Sequence, residues 1–263
     1  MDSIQSMLKR IDRQKALIGD RRPLDPAEAK ELHEYYKIGL TYTSNAIEGN
    51  TYDLTETKVL LEDGLTAHGK PMKDALETIG HGEAYDFMLS VAEQKVLNVS
   101  EETICKLHGI FYNRIDADNA GRYRQRNVFI TGTDYVPPKH REVPELMLEF
   151  VRDLNKRAAK LHPILLAAYA HRRLVDIHPF VDGNGRTARL LMNLILINKG
   201  YQVVSIPPVL RVEYIRALQE AQREKNPSDD AFNELIASCE FETQEEIMRL
   251  LHIKPPEKEQ SER

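Results

Sequence analysis

The chain has 263 residues, 41% hydrophobic and 29% charged, which indicates a water-soluble globular protein built as one large domain or a domain with an extension. A formal net charge of -5 argues against a nucleic-acid partner, because such a partner needs a surface rich in Lys and Arg. No apolar run approaches the roughly 18 residues of a membrane helix and the amino terminus lacks a secretory signal, so we expect a cytoplasmic protein without a membrane partner.

The first clear element is a long helix that begins after residue 25. Asp25 is a candidate N-cap, and Pro26 suits the first helical position. Gly39 interrupts the apolar pattern, and Gly49 is expected to end the helix. Two adjoining apolar stripes predict a helix that packs on more than one side. The stripes consist of Leu32, Tyr36, Leu40 and Ile47, and of Tyr35, Ile38, Tyr42 and Ala46.

Three further helices are predicted before residue 115. Thr55 is a candidate cap for a short helix that ends at Gly64, and residues 73–95 read as a longer helix. Ser100 is a candidate N-cap for the third, since acidic residues follow it in the first turn, where the helix dipole favours them.

The pattern changes in residues 123–144, which are rich in β-branched and aromatic residues around Gly132 and contain prolines near their end. This composition predicts a short β-hairpin or extended flap. Helical periodicity then returns in four segments up to residue 225, so the expected fold is mostly α-helical with one small β element. From Lys254 onward the chain is charged and carries two prolines, which is typical of a loose tail.

The stretch HPFVDGNGRTAR at residues 178–189 concentrates the residues that suit phosphate chemistry. Gly183 and Gly185 allow close backbone approach at the start of a helix, where amide groups and the helix dipole attract anions. Arg186 and Arg189 are three residues apart and can lie on one helix face, where two guanidinium groups suit a polyphosphate. His178 is a natural general base beside this anion site.

Asp182 supplies a hard oxygen ligand, and Mg²⁺ commonly binds through one or two carboxylates together with phosphate oxygens. The stretch is not a phosphate-binding loop of the GxxxxGK[ST] type. Each fragment alone has a structural explanation as a helix end, a turn or a solvated helix face. Their combination in one stretch favours nucleotide phosphate chemistry.

These residues resemble the signature of the Fic family, HPFx[D/E]GNGRxxR, at every specified position, and the resemblance extends from about residue 28 to about residue 222. It implies an all-α, Fic-type helical bundle with a small β-hairpin flap over the active site. It also implies a protein adenylyltransferase, which transfers AMP from ATP to a Ser, Thr or Tyr hydroxyl of a target protein. The motif keeps Gly185, whereas the phosphorylating Doc-type toxins have Lys there; it excludes a phosphocholine-transferring relative less firmly.

The resemblance also implies a role for each residue of the stretch. His178 would deprotonate the target hydroxyl, and Asp182 would hold Mg²⁺ against the α- and β-phosphates. The backbone amides around Asn184, with its side chain, would form an anion hole, while Arg186 and Arg189 would bind the β- and γ-phosphates. The implied ATP-binding residues are Asp182, Gly183, Asn184, Gly185, Arg186, Thr187, Ala188 and Arg189.

Two other segments resemble family elements that border the nucleotide. The first is the flap segment Val128, Phe129, Ile130 and Thr131, on which a target protein would dock as an extended strand through backbone hydrogen bonds. These four residues would equally suit the core of a small hairpin. The second is a helix whose candidate nucleoside contacts are Tyr214, Ile215 and Gln222.

TSNAIEGN at residues 43–50 resembles the inhibitory motif of the family, [S/T]xxxE[G/N], through Ser44 and Glu48. It implies that Glu48 pairs with Arg189 and occupies the guanidinium meant for the γ-phosphate. Some relatives use this glutamate to orient a water that removes AMP, so a de-AMPylating hydrolase stays open as an alternative. A nucleotide-binding regulatory module is a third possibility, although such a module has no need of His178.

The implied organisation has three parts. Residues 1–95 would form an N-terminal helical region with the inhibitory helix at about 26–48, residues 96–240 the Fic domain, and residues 241–263 a C-terminal helix and loose tail. A homodimer is also a possibility, with the segment before Asp25 as a candidate contact.

Overall fold

The computed structural model describes residues 4–254, and it is helical throughout, with loops between the helices. Most of the tail that we expect to be loose lies outside the described residues. The helices are α1 (Ile4–Asp20), α2 (Pro26–Ile47), α3 (Leu54–Asp63), α4 (Met72–Ala92), α5 (Glu101–Tyr112), α6 (Val143–Arg157), α7 (Pro163–Ile177), α8 (Asn184–Asn198), α9 (Arg211–Ala221) and α10 (Asp230–Leu250). None of these helices is both long enough and apolar enough to cross a membrane.

Two predicted helix starts are confirmed by their hydrogen bonds. The Asp25 carboxylate accepts from the backbone N–H of Ala27 at 2.7 Å and of Glu28 at 3.1 Å. The Ser100 hydroxyl accepts from the backbone N–H of Thr103 at 3.1 Å. Both bonds satisfy amide groups that have no partner inside the helix, which is why these residue types favour helix starts.

The predicted cap of α3 at Thr55 is wrong, because Asp53 caps this helix. Its carboxylate accepts from the N–H of Glu56 at 2.8 Å, and the Glu56 carboxylate accepts in return from the N–H of Asp53 at 2.8 Å. This reciprocal capping box satisfies two amides at once, which Thr55 cannot do from inside the first turn. The helix ends as predicted, with Gly64 in the left-handed conformation (φ 69°).

The core surrounds α8, whose residues from Thr187 to Leu196 are buried on every side. It packs against α7, α4 and α5, and its amino terminus lies next to the end of α2. The segment before Asp25, our candidate dimer contact, forms α1, and its apolar residues Leu8, Ile11 and Ile18 are buried where α1 packs on α10 of the same chain.

The predicted β-hairpin is not seen. No strand is assigned within residues 4–254, and residues 122–139, the flap loop, have irregular structure. The Arg124 guanidinium joins the two arms of the flap loop by donating to the backbone oxygens of Arg126 at 3.1 Å and Pro138 at 2.5 Å. The two arms of the flap loop are thus held together by one side chain and not by a backbone ladder.

Candidate active site

His178 lies where α7 ends and the loop to α8 begins. It adopts the left-handed conformation (φ 51°), which is uncommon for a residue other than glycine, and its N–H donates to the backbone oxygen of Leu174. Its own backbone oxygen accepts from Arg124 Nε at 2.8 Å, and its Nδ1 lies 3.3 Å from the backbone oxygen of Val175. If Nδ1 donates there, Nε2 is the unprotonated nitrogen.

The surroundings of His178 favour the neutral imidazole. Burial lowers the pKa of His178, and the nearby Arg124 guanidinium lowers it further, while the contact with Val175 opposes the shift. A neutral ring at neutral pH can accept a proton, which is the property that a general base needs.

The conformation of the loop after His178 is stabilised by hydrogen bonds between the Asn184 side chain and the loop backbone. The Asn184 amide group accepts from the N–H of Phe180 at 2.9 Å and donates to the backbone oxygen of Phe180 at 3.0 Å. Gly183 has φ 74°, and a Cβ there would lie 2.6 Å from the ring of Phe111. The Asn184 side chain, which the resemblance assigns to an anion hole, therefore also shapes the loop itself.

A buried histidine that the sequence analysis did not identify, His108, packs against this loop. His108 stacks on Phe180 with ring centroids 3.8 Å apart. Its Nδ1 accepts from the N–H of Gly121 at 2.9 Å, so Nε2 carries the proton and donates to the backbone oxygen of Asp182 at 3.1 Å. Burial lowers the pKa of His108 to about 4, so the ring is neutral at pH 7. Nothing local in the sequence signals this role.

Asp182 points toward solvent at the edge of the loop. One carboxylate oxygen accepts from the N–H of Gly183 at 2.7 Å, and the other lies 3.7 Å from Arg186. Half of the side chain is exposed, with a fractional exposure of 50%. The carboxylate is therefore open to solvent, and its role as a metal ligand stays a prediction.

Arg189 is fully enclosed and its guanidinium is engaged by two elements. Its Nε donates to the Ser44 hydroxyl at 2.9 Å, and Nη2 donates to the Ser44 backbone oxygen at 2.9 Å and to Glu48 Oε1 at 2.7 Å. Nη1 donates to the Tyr214 hydroxyl at 3.2 Å. The structure thus brings Arg189 together with Ser44 and Glu48, from which it is more than 140 residues apart in sequence.

The Glu48 carboxylate lies directly against the first turn of α8. A Cβ on Gly185 would lie 2.5 Å from Glu48 Oε1, so this oxygen fills the space that the missing side chain leaves. Burial on its own would raise the pKa of Glu48, but the charge and hydrogen bond of Arg189 outweigh it and the pKa is lowered. Glu48 is therefore an anion held at the amino terminus of α8.

Arg186 is held by a different carboxylate, Glu77 of α4. Their closest atoms are 2.9 Å apart, and the side chains are only 3% and 7% exposed. The Arg186 guanidinium also covers the ring of Phe111 at 4.4 Å, and Asn50 donates to the second oxygen of Glu77 at 3.0 Å. Sequence reasoning did not identify Glu77 or Asn50, because their relation to Arg186 depends on how α4 packs on α8.

The remaining motif residues face the interior. The Thr187 hydroxyl donates to the backbone oxygen of Gly183 at 2.9 Å, and Ala188 is completely buried. The N–H of Thr187 also donates to the backbone oxygen of Gly183, so both residues are engaged within the fold.

The candidate nucleoside contacts on α9 are also engaged within the protein. Tyr214 is buried, and its hydroxyl, which accepts from Arg189, lies 3.2 Å from Nε2 of the buried His171. Gln222 donates to the carboxylate of Asp176 at 2.9 Å, and Ile215 is half-buried. Tyr214 therefore supports Arg189 from inside the fold.

The flap-loop candidates alternate between partial burial and exposure. Val128 and Ile130 are half-buried, while Thr131 is exposed and Phe129 has a fractional exposure of 88%. Next to them, the backbone oxygen of Gly132 accepts from Gln219 of α9 at 3.0 Å. An extended segment with one exposed face is the form that strand addition requires.

Comparisons with known proteins identify relatives of this chain. The Fic/DOC family model matches residues 98–196. The chain is 37% identical over 218 residues to the protein adenylyltransferase Fic of Drosophila persimilis, an alignment that covers 82% of this chain and 40% of that protein. The chain thus spans about two-fifths of the length of the curated relatives it matches.

Solved structures show the same fold. A substituted form of a Fic-1 segment from C. elegans superimposes with a TM-score of 0.81 and 30% identity, covering 93% of this chain and 71% of that one. A Fic domain containing signaling protein from Bacteroides thetaiotaomicron has a TM-score of 0.82 and 28% identity, covering 90% of this chain and 94% of that one. The chain belongs to the Fic/DOC family.

Proposed function

We propose that this chain is a protein adenylyltransferase that transfers AMP from ATP to a hydroxyl of a target protein, and that Glu48 restrains it. The observation that carries the proposal is the contact of Glu48 with Arg189 at 2.7 Å, made beside the amides that begin α8. The relatives named protein adenylyltransferase support the reaction type.

In the proposed reaction, His178 accepts the proton of the target hydroxyl. The hydroxyl oxygen forms a bond to the α-phosphorus of ATP, and the bond from that phosphorus to the bridging oxygen of the β-phosphate breaks. Pyrophosphate leaves, and the proton remains on the imidazole until it passes to water. The lowered pKa of His178 supports this role, because the ring is neutral before the reaction.

Charge neutralisation belongs on the side of the leaving pyrophosphate. Arg189 and the amides of Gly183 to Gly185 are proposed to bind these phosphates. Asp182 is proposed to hold Mg²⁺, and its donor set fits, since one oxygen is accessible and bonded only loosely to Arg186. When bound, this ion supplies positive charge to the phosphates.

Glu48 restrains the reaction in this proposal because it occupies the position of an anion. Its carboxylate satisfies Arg189 and repels a phosphate that approaches the same guanidinium. A nucleotide that binds beside it is displaced, and a displacement of about 1 Å from reactive geometry can lower a rate on the order of 100-fold.

The experiment that tests the proposal uses ATP labelled in parallel at the α- or the γ-phosphate. It compares the wild type, Glu48→Gly and the double variant Glu48→Gly/His178→Ala in the presence of Mg²⁺. We expect label from the α-phosphate on protein, strong in Glu48→Gly and absent in the double variant. Label from the γ-phosphate, or no protein label in Glu48→Gly with a cell lysate as target source, would contradict the proposal.

One observation favours a second function, the removal of AMP from a modified target. Glu48 uses Oε1 to bind Arg189, and Oε2 has no hydrogen-bond partner among the described residues. A carboxylate held by one oxygen can orient a water with the other. A hydrolase of this kind would release AMP from a modified target as wild type and lose that release in Glu48→Gly.

The finer features remain proposals. The target is proposed to dock on the flap loop as an extended strand beside Val128 and Ile130, and the protein is proposed to act in the cytoplasm. The division at residues 95 and 240 and the homodimer also stay predictions. Burial of the apolar face of α1 on α10 leaves only its other faces for a contact with a second copy.

A further inference from the structure

A large groove runs beside α2 and has no part in the proposed reaction. Its cavity volume is about 1340 Å³, and it is lined by α2, α3, α10 and residues 203–210. Sites for small molecules usually enclose about 300–1,000 Å³. The groove is therefore large enough for a segment of polypeptide.

The length of the groove suits a helix. It is lined by α2 residues from Ala27 to Thr43, which recur every three or four positions. At a rise of 1.5 Å per residue, this stretch is about 24 Å long, the length of a helix of roughly 16 residues.

At one position of α2, no side chain covers the helix backbone within the groove. Gly39 lines the groove, and no atom lies within 4 Å of the place where its Cβ would be. A glycine inside a helix costs about 1 kcal/mol relative to alanine, so packing within this fold does not explain it. A missing side chain does allow another helix to approach closely.

A buried polar group at the groove also has no partner. Tyr36 lines the groove, and its side chain is 7% exposed. Its hydroxyl has no hydrogen-bond partner among residues 4–254. Because this hydroxyl is fully enclosed, it lies beneath the groove lining and is not itself a contact for a ligand in the groove.

The charged residues that α2 contributes to the groove lie toward the amino terminus of that helix. On α2, Ile38 and Tyr42 are followed toward the amino terminus by charged residues. The Tyr35 hydroxyl donates to Glu246 at 2.5 Å, which joins the charged part of α2 to the carboxyl-terminal half of α10. The charged lining is net negative, because three basic residues face the carboxylates Glu31, Glu34, Glu62, Glu242 and Glu246.

We propose that this groove binds an amphipathic helix of a partner protein, with large apolar side chains along one face and Lys or Arg residues at one end. The apolar side chains would cover Gly39 and Tyr42, and the basic end would lie against Glu31 and Glu34. Amphipathic helices dock in grooves of this kind through residues spaced at i, i+3, i+4 and i+7. The acidic end fixes the direction of the bound helix.

The partner helix is linked to the restraint through α2. Ser44 and Glu48, which engage Arg189, follow the groove-lining residues on the same helix. The groove is present in the state in which Glu48 binds Arg189, and a ligand favours the state that it binds more tightly. The partner helix would therefore dock on the same helix that carries the restraint.

The test measures binding of two synthetic peptides by fluorescence anisotropy with the full chain. Both are helical, about 16 residues long, and carry the same leucine face; one ends in lysines and the other in glutamates. We expect the lysine peptide to bind about tenfold or more tightly than the glutamate peptide, and the difference to shrink as salt is added.

Two variants locate the binding site. Gly39→Phe fills the groove and is expected to weaken binding of the lysine peptide about tenfold or more, whereas Gly19→Phe, a matched change at an unobstructed helix glycine on α1, leaves it unchanged. Glu31→Lys/Glu34→Lys, on the surface of α2, should reverse the preference between the peptides. Equal binding of the two peptides, no binding of the lysine peptide, or unchanged binding by Gly39→Phe overturns the proposal. None of these outcomes depends on whether the chain transfers AMP.

Discussion

At the scale of single residues, the charge of Glu48 lies where it interacts strongly with the guanidinium of Arg189. Arg189 is enclosed, with a side chain 1% exposed, and the Glu48 side chain is 36% exposed, so water screens this pair less than a pair on the surface. The second motif arginine, Arg186, is also paired, with Glu77. Both guanidinium groups that suit a polyphosphate are thus engaged by carboxylates of the same chain.

The inhibition of AMP transfer by Glu48 should depend on the charge of its side chain more than on its volume. Glu48→Gln keeps the shape of the side chain and removes the charge that opposes phosphate. We therefore expect AMP transfer by Glu48→Gln to lie above the wild type and below Glu48→Gly, with a full span on the order of 100-fold. The rate of AMP transfer is measured as incorporation of α-phosphate label into protein. A rate for Glu48→Gln equal to that of the wild type would contradict a restraint that depends on charge.

The Ser44 hydroxyl should contribute to stability through Arg189. Ser44→Ala leaves the buried Nε of Arg189 without its acceptor, and an unsatisfied buried donor costs about 1–3 kcal/mol. The free energy of unfolding, measured by urea denaturation, should fall by that amount. Thr43→Ala is the control, because the Thr43 hydroxyl only bonds to backbone oxygens of its own helix. Equal losses in the two variants would argue against the assignment.

At the scale of elements, the loop before α8 requires a glycine at position 183 for two reasons. Gly183 has φ 74°, and a Cβ there would also meet the ring of Phe111 at 2.6 Å. Gly64 has a similar φ of 69°, but nothing lies within 4 Å of its Cβ position.

These two glycines provide a matched pair of substitutions. Gly64→Ala should cost about 1–2 kcal/mol, because alanine is strained in the left-handed conformation. Gly183→Ala carries the same strain and in addition an overpacking cost of about 1–3 kcal/mol. Thermal unfolding monitored by circular dichroism should therefore show a larger fall in Tm for Gly183→Ala, and equal falls would be inconsistent with the contact at Phe111.

Elements that are specified by neighbouring residues could be predicted from the sequence. Asp25, Ser100 and Gly64 mark helix ends through local hydrogen bonds, and the periodicity of apolar residues indicates the helices between them. The motif at residues 178–189 predicts a tight loop followed by the start of a helix for the same reason, and α8 begins at Asn184. The pairing of Glu48 with Arg189 was implied only by resemblance to the family.

Features that depend on distant segments could not be predicted. Glu77, His108 and Arg124 all support the candidate site, and each does so through a helix or loop packed against it from elsewhere in the chain. The flap loop illustrates the same limit. Its composition indicates a hairpin, but its two arms are joined by the Arg124 side chain and not by a backbone ladder, and no local pattern reveals this contact.

At the scale of the whole molecule, helix α10 is joined to the core through a buried acid. Glu240 of α10 is fully buried; its Oε1 accepts from the N–H of Gln202 at 3.0 Å and from Gln244 at 2.8 Å, while Oε2 has no partner among the described residues. Burial raises the pKa of Glu240 from 4.5 to about 8, although Lys15 opposes the shift.

This acid makes stability depend on pH. Between pH 4.5 and about 8 the folded chain holds a proton on Glu240 that the unfolded chain releases, so its contribution to stability is largest at low pH and is lost as pH rises through that window. Glu240→Gln should flatten this slope and raise stability at pH 8 relative to the wild type by on the order of a few kcal/mol. Urea denaturation at pH 5, 6, 7 and 8 measures it, with the exposed Glu242→Gln as control. Parallel slopes for Glu240→Gln and the wild type would refute the raised pKa.

The position of Arg124 limits how the flap loop can move. Its guanidinium binds the backbone of both arms and also the backbone oxygen of His178. These bonds connect the base of the flap loop to the backbone of the histidine through one side chain. A strand that pulls the base of the loop out of position would pull the imidazole with it. A target strand that binds the flap loop out of register would therefore also displace His178. The position of the proton acceptor would then depend on how well the target strand fits the loop.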